Sequence, residues 1–536
     1  MRSKVLLIGI DGATWEILKP MMDEGRIPNI KRLYNEGASG ILTSTIPPLT
    51  PVAFASFHTG VNPGKHGITD FQLHYKEMGM SGIIDSTFLK YKTFSEIAND
   101  QGKTVISINI PLTYPTPKLN GVVIGDFLAP RVYPGLVHPT EIYHSLIKKA
   151  DYKILGISLK QKPHLSTDEV IRNYIDVESV RYSIAKKLMN QYDWDLFLIH
   201  NQLLDSVQHG FFHFLDKRSS HYSDEKYNIV AKYYESMDKE IGNLLENIDA
   251  NTTVVLFSDH GFKLIKKNVH INSFLRKRGY FAMGKKKRLL PIGKIVRFIQ
   301  GIDSKGLRYK MFDFLGIDLK VRRELVSKFK SSNDNNEKSQ AFMRDGAYFG
   351  NIYLNRKLGD SENVGKHLIE ALSELKDPVT GDKIVAKSYI SKDIFSGPYL
   401  DEMPYLFLEP AGDYAFATGD NLDELITDID YEKCNSGGHA LEGIVVVWGK
   451  NVRSIENIRC HILNIAPTVL AVLGIAVPAY MDGKALEEPF YEKPIARTNS
   501  SMDGFNKTLR DTEGDRNYTS DDKDVIKERL KDLGYL

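Results

Sequence analysis

The chain has 536 residues, of which 42% are hydrophobic and 26% are charged, and its mean hydropathy is −0.28. This length allows two or more domains with a large buried core, and this composition is typical of a soluble globular protein. The net charge of +2 indicates no particular partner, and the two cysteines, Cys434 and Cys460, are too few for a disulfide framework.

The N-terminal region predicts neither export nor membrane insertion. The apolar run Val5–Ile10 ends at Asp11 and is too short for the hydrophobic region of a secretory signal. No stretch approaches the roughly 18 consecutive apolar residues that a membrane span needs. Because the two thiols also lack metal-binding or redox spacing, we predict a cytoplasmic protein.

Five short apolar runs rich in β-branched residues predict buried strands, and helical patterns follow most of them. Such an alternation is typical of an α/β fold with a mostly parallel central sheet and helices on both faces. In these sheets, ligands bind beyond the carboxyl ends of the strands. The predicted strands are Val5–Ile10, Thr104–Ile110, Leu196–His200, Thr253–Phe257 and Ile444–Trp448.

A basic segment interrupts the predicted core. Lys263–Lys330 contains 20 Lys and Arg residues against four acidic ones, a local net charge of +16. We predict an inserted cap at 263–345 whose charges lie on a solvated face, and His270 within it is predicted to be structural. The alternative is an electrostatic funnel for an anionic substrate, or a contact of 263–330 with an anionic membrane surface. No nucleic-acid-binding motif is present.

The other predicted boundaries follow from this insertion. Residues 1–262 form the first part of the catalytic core, 346–490 form the second, and 491–536 form a polar tail. A short helix beginning at Ser520 is predicted to dock on the body, because its apolar residues recur at helical spacing. These residues are Val525, Ile526, Leu530 and Leu533.

Five short motifs place acids, histidines or a hydroxyl where a metal site needs them. Two of them, those with Asp11 and Asp259, follow directly on a predicted strand, and the other acids and histidines lie near predicted strand ends. Asp205 and His209 are four residues apart and therefore share one face if the segment is helical. The motifs contain Asp11 (GIDGA), Thr50 (PPLTP), Asp205 and His209 (DSVQH), Asp259 and His260 (SDHG), and His439 (GGHA).

Each motif alone has a purely structural interpretation, such as a helix cap for Asp11 or a turn hydroxyl for Thr50. Together, three carboxylates and three imidazoles form enough ligands for two metal sites with three protein ligands each. Two divalent cations neutralise a phosphoryl group and ionise a hydroxyl that is too weak an acid by itself. Mixed Asp and His ligands suit zinc, with manganese as the alternative.

The ordered set of these residues resembles the type I phosphodiesterase / nucleotide pyrophosphatase branch of the alkaline phosphatase superfamily. It is most similar to the prokaryotic group of predicted phosphohydrolases or phosphomutases. The resemblance extends from Lys4 to about Glu488 and includes Ile465–Gly474 and Met481–Lys484. It implies an alkaline-phosphatase-like fold with an inserted cap.

The resemblance also implies roles for the individual residues. One metal ion would be held by Asp11, Asp259, His260 and the Thr50 oxygen. The other would be held by Asp205, His209 and His439. Thr50 would attack phosphorus to form a phosphothreonine, which water then hydrolyses.

Two positions depart from the nucleotide pyrophosphatase pattern. The asparagine that binds a phosphoryl oxygen in those enzymes corresponds here to Phe71, preceded by Asp70. Asn109, after another predicted strand, is a substitute donor or, as we favour, a turn residue. The nucleotide-specific interpretation therefore weakens, while the metal chemistry is unaffected.

Three functions follow for the chain. The first is a metal-dependent phosphohydrolase, most simply a phosphodiesterase, acting on a phosphorylated small molecule or an anionic polymer. The second is a phosphomutase like the cofactor-independent phosphoglycerate mutases, which use serine as the nucleophile. The third is a non-catalytic scaffold, which the complete ligand set disfavours. A sulfatase is disfavoured, because Pro51 follows Thr50 immediately and Phe54 stands where those enzymes carry arginine.

Overall fold

The computed structural model describes most of the chain. The described residues are 3–75, 80–158, 164–282, 338–344, 348–358, 361–417, 424–431, 435–494, 497–499, 518–533 and 535. Most of the predicted basic insertion, including 283–337, lies outside them, as does Cys434. The predictions of a charged funnel and of a membrane contact therefore stay predictions.

A nine-stranded central sheet organises the fold. Its spatial order is β9-β2-β8-β7-β1-β6-β3-β4-β5, and every pair is parallel except those that involve β8 or β5. The predicted mostly parallel α/β sheet is confirmed. The strands are β1 (Lys4–Ile10), β2 (Ala38–Thr43), β3 (Val105–Ile108), β4 (Gly121–Ile124), β5 (Val137–His138), β6 (Leu196–Asn201), β7 (Thr252–Phe257), β8 (Glu442–Trp448) and β9 (Ile455–His461).

The predicted strands agree with this sheet to within a few residues, with two informative differences. The third strand ends at Ile108 rather than Ile110, because Asn109 has a left-handed φ of 58° that stops the extended backbone. The strand at Glu442–Trp448 runs antiparallel to both of its neighbours. Its amino end, and not its carboxyl end, therefore lies at the edge of the sheet where the parallel strands terminate.

Helices cover the sheet and connect its strands. The longest of them, α6 and α8, pack against each other. The helices are α1 (Trp15–Asp23), α2 (Pro28–Glu36), α3 (Thr50–Thr59), α4 (Pro63–His66), α5 (Phe94–Asp100), α6 (Thr167–Gln191), α7 (Leu203–Leu215), α8 (Asp224–Leu245), α9 (Ile271–Lys277), α10 (Ser361–Ser373), α11 (Ser391–Ile394), α12 (Ile465–Val472) and α13 (Ser520–Leu533). Among the described residues, no helix combines the length and apolar character needed to cross a membrane.

A second hydrophobic cluster lies apart from that of the central sheet. It packs α9 and α10 around a four-stranded antiparallel sheet in the order Ala341–Met343, Gly350–Leu354, Leu406–Pro410 and Val385–Ile390. Beside it, Lys267–Val269 pairs with Tyr414–Phe416 and Ile426–Asp428. Residues on both sides of position 345 thus share this cluster. The division of the chain into a core and an inserted cap at 263–345 stays a prediction.

The smaller pairings complete the described strands. Gly261–Leu264 pairs with Gly437–Ala440 in antiparallel register, which joins the chain after β7 to the chain before β8. Gln72–Tyr75 pairs with Met80–Ile83, and Val477–Pro478 pairs with Thr498–Asn499. The first of these pairings matters for the active site, because it places His439 opposite Phe262.

The C-terminal helix α13 docks on the body as the spacing predicts. Ile526, Leu530 and Leu533 are buried against the main core. Val525, which was predicted in the same docking set, is 46% exposed. It lies one residue before Ile526 and therefore points about 100° away from the buried face.

Leu530→Ala is expected to destabilise the protein by about 2–5 kcal/mol, because it removes a fully buried side chain from the core. Val525→Ala on the same helix is the matched control and should change stability by less than about 0.5 kcal/mol. Urea unfolding of both variants measures the difference. Equal effects would contradict the docking of this helix.

Candidate active site

The fold brings the seven chemistry-bearing residues to one edge of the central sheet. Asp11 follows β1, and Asp259 and His260 follow β7. Asp205 and His209 lie one turn apart on α7, which follows β6. Carboxyl ends of neighbouring parallel strands meet at one edge, so the loops and helices after them converge there.

Thr50 and His439 reach this edge by other routes. Thr50 is the first residue of α3, whose N-terminal N–H groups and helix dipole favour a bound anion. His439 belongs to the short pairing Gly437–Ala440 and precedes β8. Because β8 is antiparallel, the residues before it lie at the same edge as the residues after β1 and β7.

Asp11, Asp259 and His260 form a first compact group. Their ligand atoms lie within 4.8 Å of one another, and all three residues are fully buried. His260 Nε2 is 3.3 Å from Asp11 Oδ1 and 3.4 Å from Asp259 Oδ2. The main-chain N–H of Gly12 donates to the other oxygen, Asp259 Oδ1, over 3.3 Å. Gly12 has a φ of +70°, a conformation that favours glycine.

Asp205, His209 and His439 form a second group of the same kind. Their ligand atoms also lie within 4.8 Å of one another, and the residues are buried. Asp205 Oδ1 is 3.2 Å from His209 Nε2 and 3.3 Å from His439 Nε2. The rings of His439 and His260 stack with centroids 3.7 Å apart, so the two groups are adjacent.

The hydrogen bonds of the three imidazoles determine which nitrogen is available. Each Nδ1 lies against a main-chain carbonyl oxygen: His209 at 3.0 Å, His260 at 3.2 Å and His439 at 2.8 Å. A carbonyl oxygen only accepts, so each Nδ1 carries the proton and each Nε2 presents its lone pair to the site. This is the tautomer of a metal-ligating histidine.

The arrangement fits bound cations. Asp11 Oδ1, Asp205 Oδ1 and Asp259 Oδ2 are buried and accept no hydrogen bond from the described residues. They face imidazole lone pairs at 3.2–3.4 Å. Electron-rich atoms that face one another with no proton between them repel, and a cation removes that repulsion. Two adjacent groups with three protein ligands each can therefore hold two divalent ions.

The electrostatics of the carboxyls point the same way. Burial raises the pKa of Asp11 well above its usual value, and the charges of Asp259 and Asp205 add to the effect. Burial likewise raises the pKa of Asp259 to about 7. The protein thus concentrates carboxyl groups that resist ionising together, unless positive charge is supplied.

Thr50 lies between the two groups. Its Oγ1 is 3.4 Å from His260 Nε2 of the first group. It is also 3.3 Å from the hydroxyl of Tyr535, which in turn donates to Asp205 Oδ2 of the second group over 3.0 Å. The hydroxyl predicted to be the nucleophile is thus buried, in direct contact with the first group and linked to the second through Tyr535.

Three residues at this site escaped the sequence predictions. His200 Nε2 is 3.1 Å from Asp11 Oδ2, and Gly9 allows this approach, since a Cβ there would lie 2.5 Å from His200 Nδ1. Tyr348 OH is 2.9 Å from His209 Nδ1. A histidine at the carboxyl end of an apolar strand was a visible signal for His200. No local pattern marks Tyr348 or Tyr535.

The three predicted substrate contacts have different environments. Phe71 is buried, and its ring packs against that of Tyr535 with centroids 4.5 Å apart. The main-chain N–H of Phe71 donates to Asp70 Oδ1 over 2.6 Å. Asn109 has a left-handed backbone and donates through Nδ2 to the carbonyl of His200. Such a backbone is typical of a turn, and a role of Asn109 in substrate binding stays a prediction.

The chain belongs to the type I phosphodiesterase / nucleotide pyrophosphatase family, whose model matches residues 5–439. The chain is therefore a hydrolase of phosphate esters, from a metal-dependent family. Among curated protein sequences, none matches the chain significantly.

Solved structures resemble this chain at low sequence identity. Phosphonoacetate hydrolase from Sinorhizobium meliloti 1021, in complex with phosphonoformate, has a TM-score of 0.56 and 14% identity, over 88% of this chain and 96% of that chain. Murine ectonucleotide pyrophosphatase / phosphodiesterase 5, in complex with AMP, has a TM-score of 0.48 and 11% identity, over 88% of this chain and 96% of that one. At such identity, the first likeness concerns the fold alone.

Proposed function

We propose that this protein is a phosphodiesterase that acts through a phosphothreonine on Thr50 at a site for two metal ions. One observation carries the proposal. Two buried ligand groups direct unprotonated imidazole nitrogens and unpartnered carboxylate oxygens inward, and the hydroxyl of Thr50 lies between them. A stable core has no need for this arrangement, since burying unpaired carboxylates is costly.

Asp11, Asp259 and His260 would hold one ion, together with the Thr50 oxygen, and Asp205, His209 and His439 would hold the other. When bound, the ions neutralise the phosphoryl oxygens and lower the pKa of the attacking hydroxyl. The ligand set of three carboxylates and three imidazoles favours zinc, with manganese as the alternative.

The chain's own residues then divide the reaction into two steps. Thr50 Oγ1 releases its proton to solvent and forms a bond to phosphorus while the ester bond to the leaving oxygen breaks, and the leaving group takes up a proton from solvent. The N-terminus of α3 directs its N–H groups toward the phosphoryl oxygens. Water next attacks the phosphothreonine, and the bond between phosphorus and Oγ1 breaks to regenerate Thr50.

The substrate class is a phosphorylated small molecule or an anionic polymer. Phe71, at the position of the family's phosphoryl-binding asparagine, is buried against Tyr535 and has no hydrogen-bonding side chain. This difference disfavours recognition of a nucleotide in the manner of the nucleotide pyrophosphatases. The basic segment 263–330 would add attraction for anionic substrates.

Hydrolysis of two chromogenic esters tests the proposal. We expect bis-p-nitrophenyl phosphate to be turned over with a higher kcat/KM than p-nitrophenyl phosphate, by protein that contains two equivalents of zinc or manganese. A preference for the monoester would make the protein a phosphatase. Bound metal with release from neither ester would favour a phosphomutase, and the absence of both metal and turnover would leave only a scaffold.

A further inference from the structure

The segment that ends at Tyr535 is anchored firmly to the catalytic core. Ile526 and Leu530 are fully buried on one face of α13. Arg529 donates to the main-chain oxygens of Phe127 and Ala129 over 2.5 Å each, and to that of Pro130 over 3.2 Å. These contacts hold the segment in a defined position against the catalytic core.

Tyr535 places a hydroxyl at the centre of this site. The residue is 5% exposed, and its ring packs against Phe71 with centroids 4.5 Å apart. Its oxygen is 3.3 Å from Thr50 Oγ1 and 3.0 Å from Asp205 Oδ2. The hydroxyl therefore contacts both the proposed nucleophile and a candidate metal ligand.

The direction of these hydrogen bonds follows from the chemistry of the partners. An ionised carboxylate only accepts, so Tyr535 donates its single proton to Asp205. The Thr50 hydroxyl then donates to the oxygen of Tyr535.

We propose that Tyr535 is a catalytic residue whose hydroxyl turns its single proton from Asp205 Oδ2 to a non-bridging oxygen of the phosphoryl group that Thr50 attacks. A phosphoryl group bonded to Thr50 Oγ1 carries its oxygens into the space next to that atom, where the Tyr535 hydroxyl lies. A fixed donor aimed at developing negative charge stabilises the transition state more than the ground state. The inference rests on the proposed function, since it needs phosphoryl transfer to Thr50.

The geometry also explains the side chain at position 71. The nucleotide pyrophosphatases that this chain resembles have at this position an asparagine that binds a phosphoryl oxygen. This chain has Phe71 there, and its buried ring contacts Tyr535. Phe71 supports the aromatic ring from one side, and Tyr535 supplies the polar group. The donor thus comes from a residue more than 460 positions away along the chain.

Tyr535→Phe tests this role, since it keeps the ring and its packing against Phe71 and removes only the hydroxyl. We expect kcat for bis-p-nitrophenyl phosphate to fall by about 10²–10³-fold, the usual effect of losing one such donor. The affinity for inorganic phosphate, measured by calorimetry, should fall about tenfold. Metal content and melting temperature should stay those of the wild type.

Tyr518→Phe is the matched control. Tyr518 lies on the same segment, and its hydroxyl donates to the carbonyl of Leu128 over 3.2 Å. This variant also loses one hydrogen bond of the docked segment, but it should retain wild-type kcat and phosphate affinity. Equal losses in both variants would show that only the docking of the segment matters, which overturns the catalytic role of Tyr535.

The remaining outcomes separate this inference from the proposed function. A wild type with Thr50-dependent turnover and a Tyr535→Phe variant of equal activity would overturn the inference alone. Higher activity in that variant would overturn it too, because the hydroxyl would then obstruct the substrate. A wild type that hydrolyses neither ester overturns the proposed function. In that case, equal phosphate affinities of the wild type and the Tyr535→Phe variant would overturn the inference about Tyr535 as well.

Discussion

Thr50→Ala is expected to lower kcat for bis-p-nitrophenyl phosphate by on the order of 10⁴-fold or more, since loss of a covalent nucleophile has effects of this size. Thr50 Oγ1 is the hydroxyl placed at the N-terminus of α3, 3.4 Å from His260 Nε2. The six imidazole and carboxylate ligands remain in the variant. Steady-state kinetics and metal analysis of the same preparation measure both consequences.

Thr59→Ala provides the control for this experiment. Thr59 is the last residue of the same helix and is equally buried, and its hydroxyl donates to the carbonyl of Ala55 within the helix. Its replacement should leave kcat within a few-fold of the wild type. If Thr50→Ala kept most of the activity while Thr59→Ala did the same, the attacking group would be water, and the phosphothreonine would be excluded.

Removing divalent ions with a chelator is expected to abolish turnover and to lower the melting temperature. Two effects act together. Ligand binding to the native state alone stabilises it by about 2.7 kcal/mol per site at a free concentration of 100 Kd. Burial raises the pKa values of Asp11 and Asp259, which means that their ionised forms are unfavourable in the native state unless a cation is bound. Removing the ions therefore takes away the attraction that offsets this cost.

Adding back zinc or manganese should restore both turnover and the melting temperature, and calorimetric titration should count two sites. The variant Asp205→Asn should bind one equivalent fewer and show a smaller shift on chelation, because only the first group, Asp11, Asp259 and His260, remains complete. A melting temperature that is insensitive to the chelator in both proteins would contradict metal binding at these groups.

The docked position of Tyr535 limits which fragments of this chain can be expected to be active. A fragment that ends before α13 loses buried core residues and also the hydroxyl beside Thr50. The activity of such a fragment is therefore expected to be lower than that of the full chain. Variants of single residues, such as Tyr535→Phe, avoid this difficulty because they leave the helix and its apolar contacts in place.

Many residues of the site could be predicted from the sequence, because short local patterns mark them. A buried strand followed directly by an acid marked Asp11 and Asp259, and a spacing of four residues marked Asp205 and His209 as neighbours on one helix face. These short-range patterns, together with their order along the chain, also led to the family that the comparison confirms. The α/β class followed from the apolar strands in the same way.

Tertiary structure alone decided which distant residues meet. His439 joins Asp205 because the strand after it is antiparallel, and strand direction cannot be read from an apolar run. Tyr535 reaches Thr50 across 485 positions through the docking of α13, whose amphipathic pattern predicts burial but not the surface that receives it. Sequence spacing encodes contacts within one turn or strand, whereas contacts between elements depend on how the whole core packs.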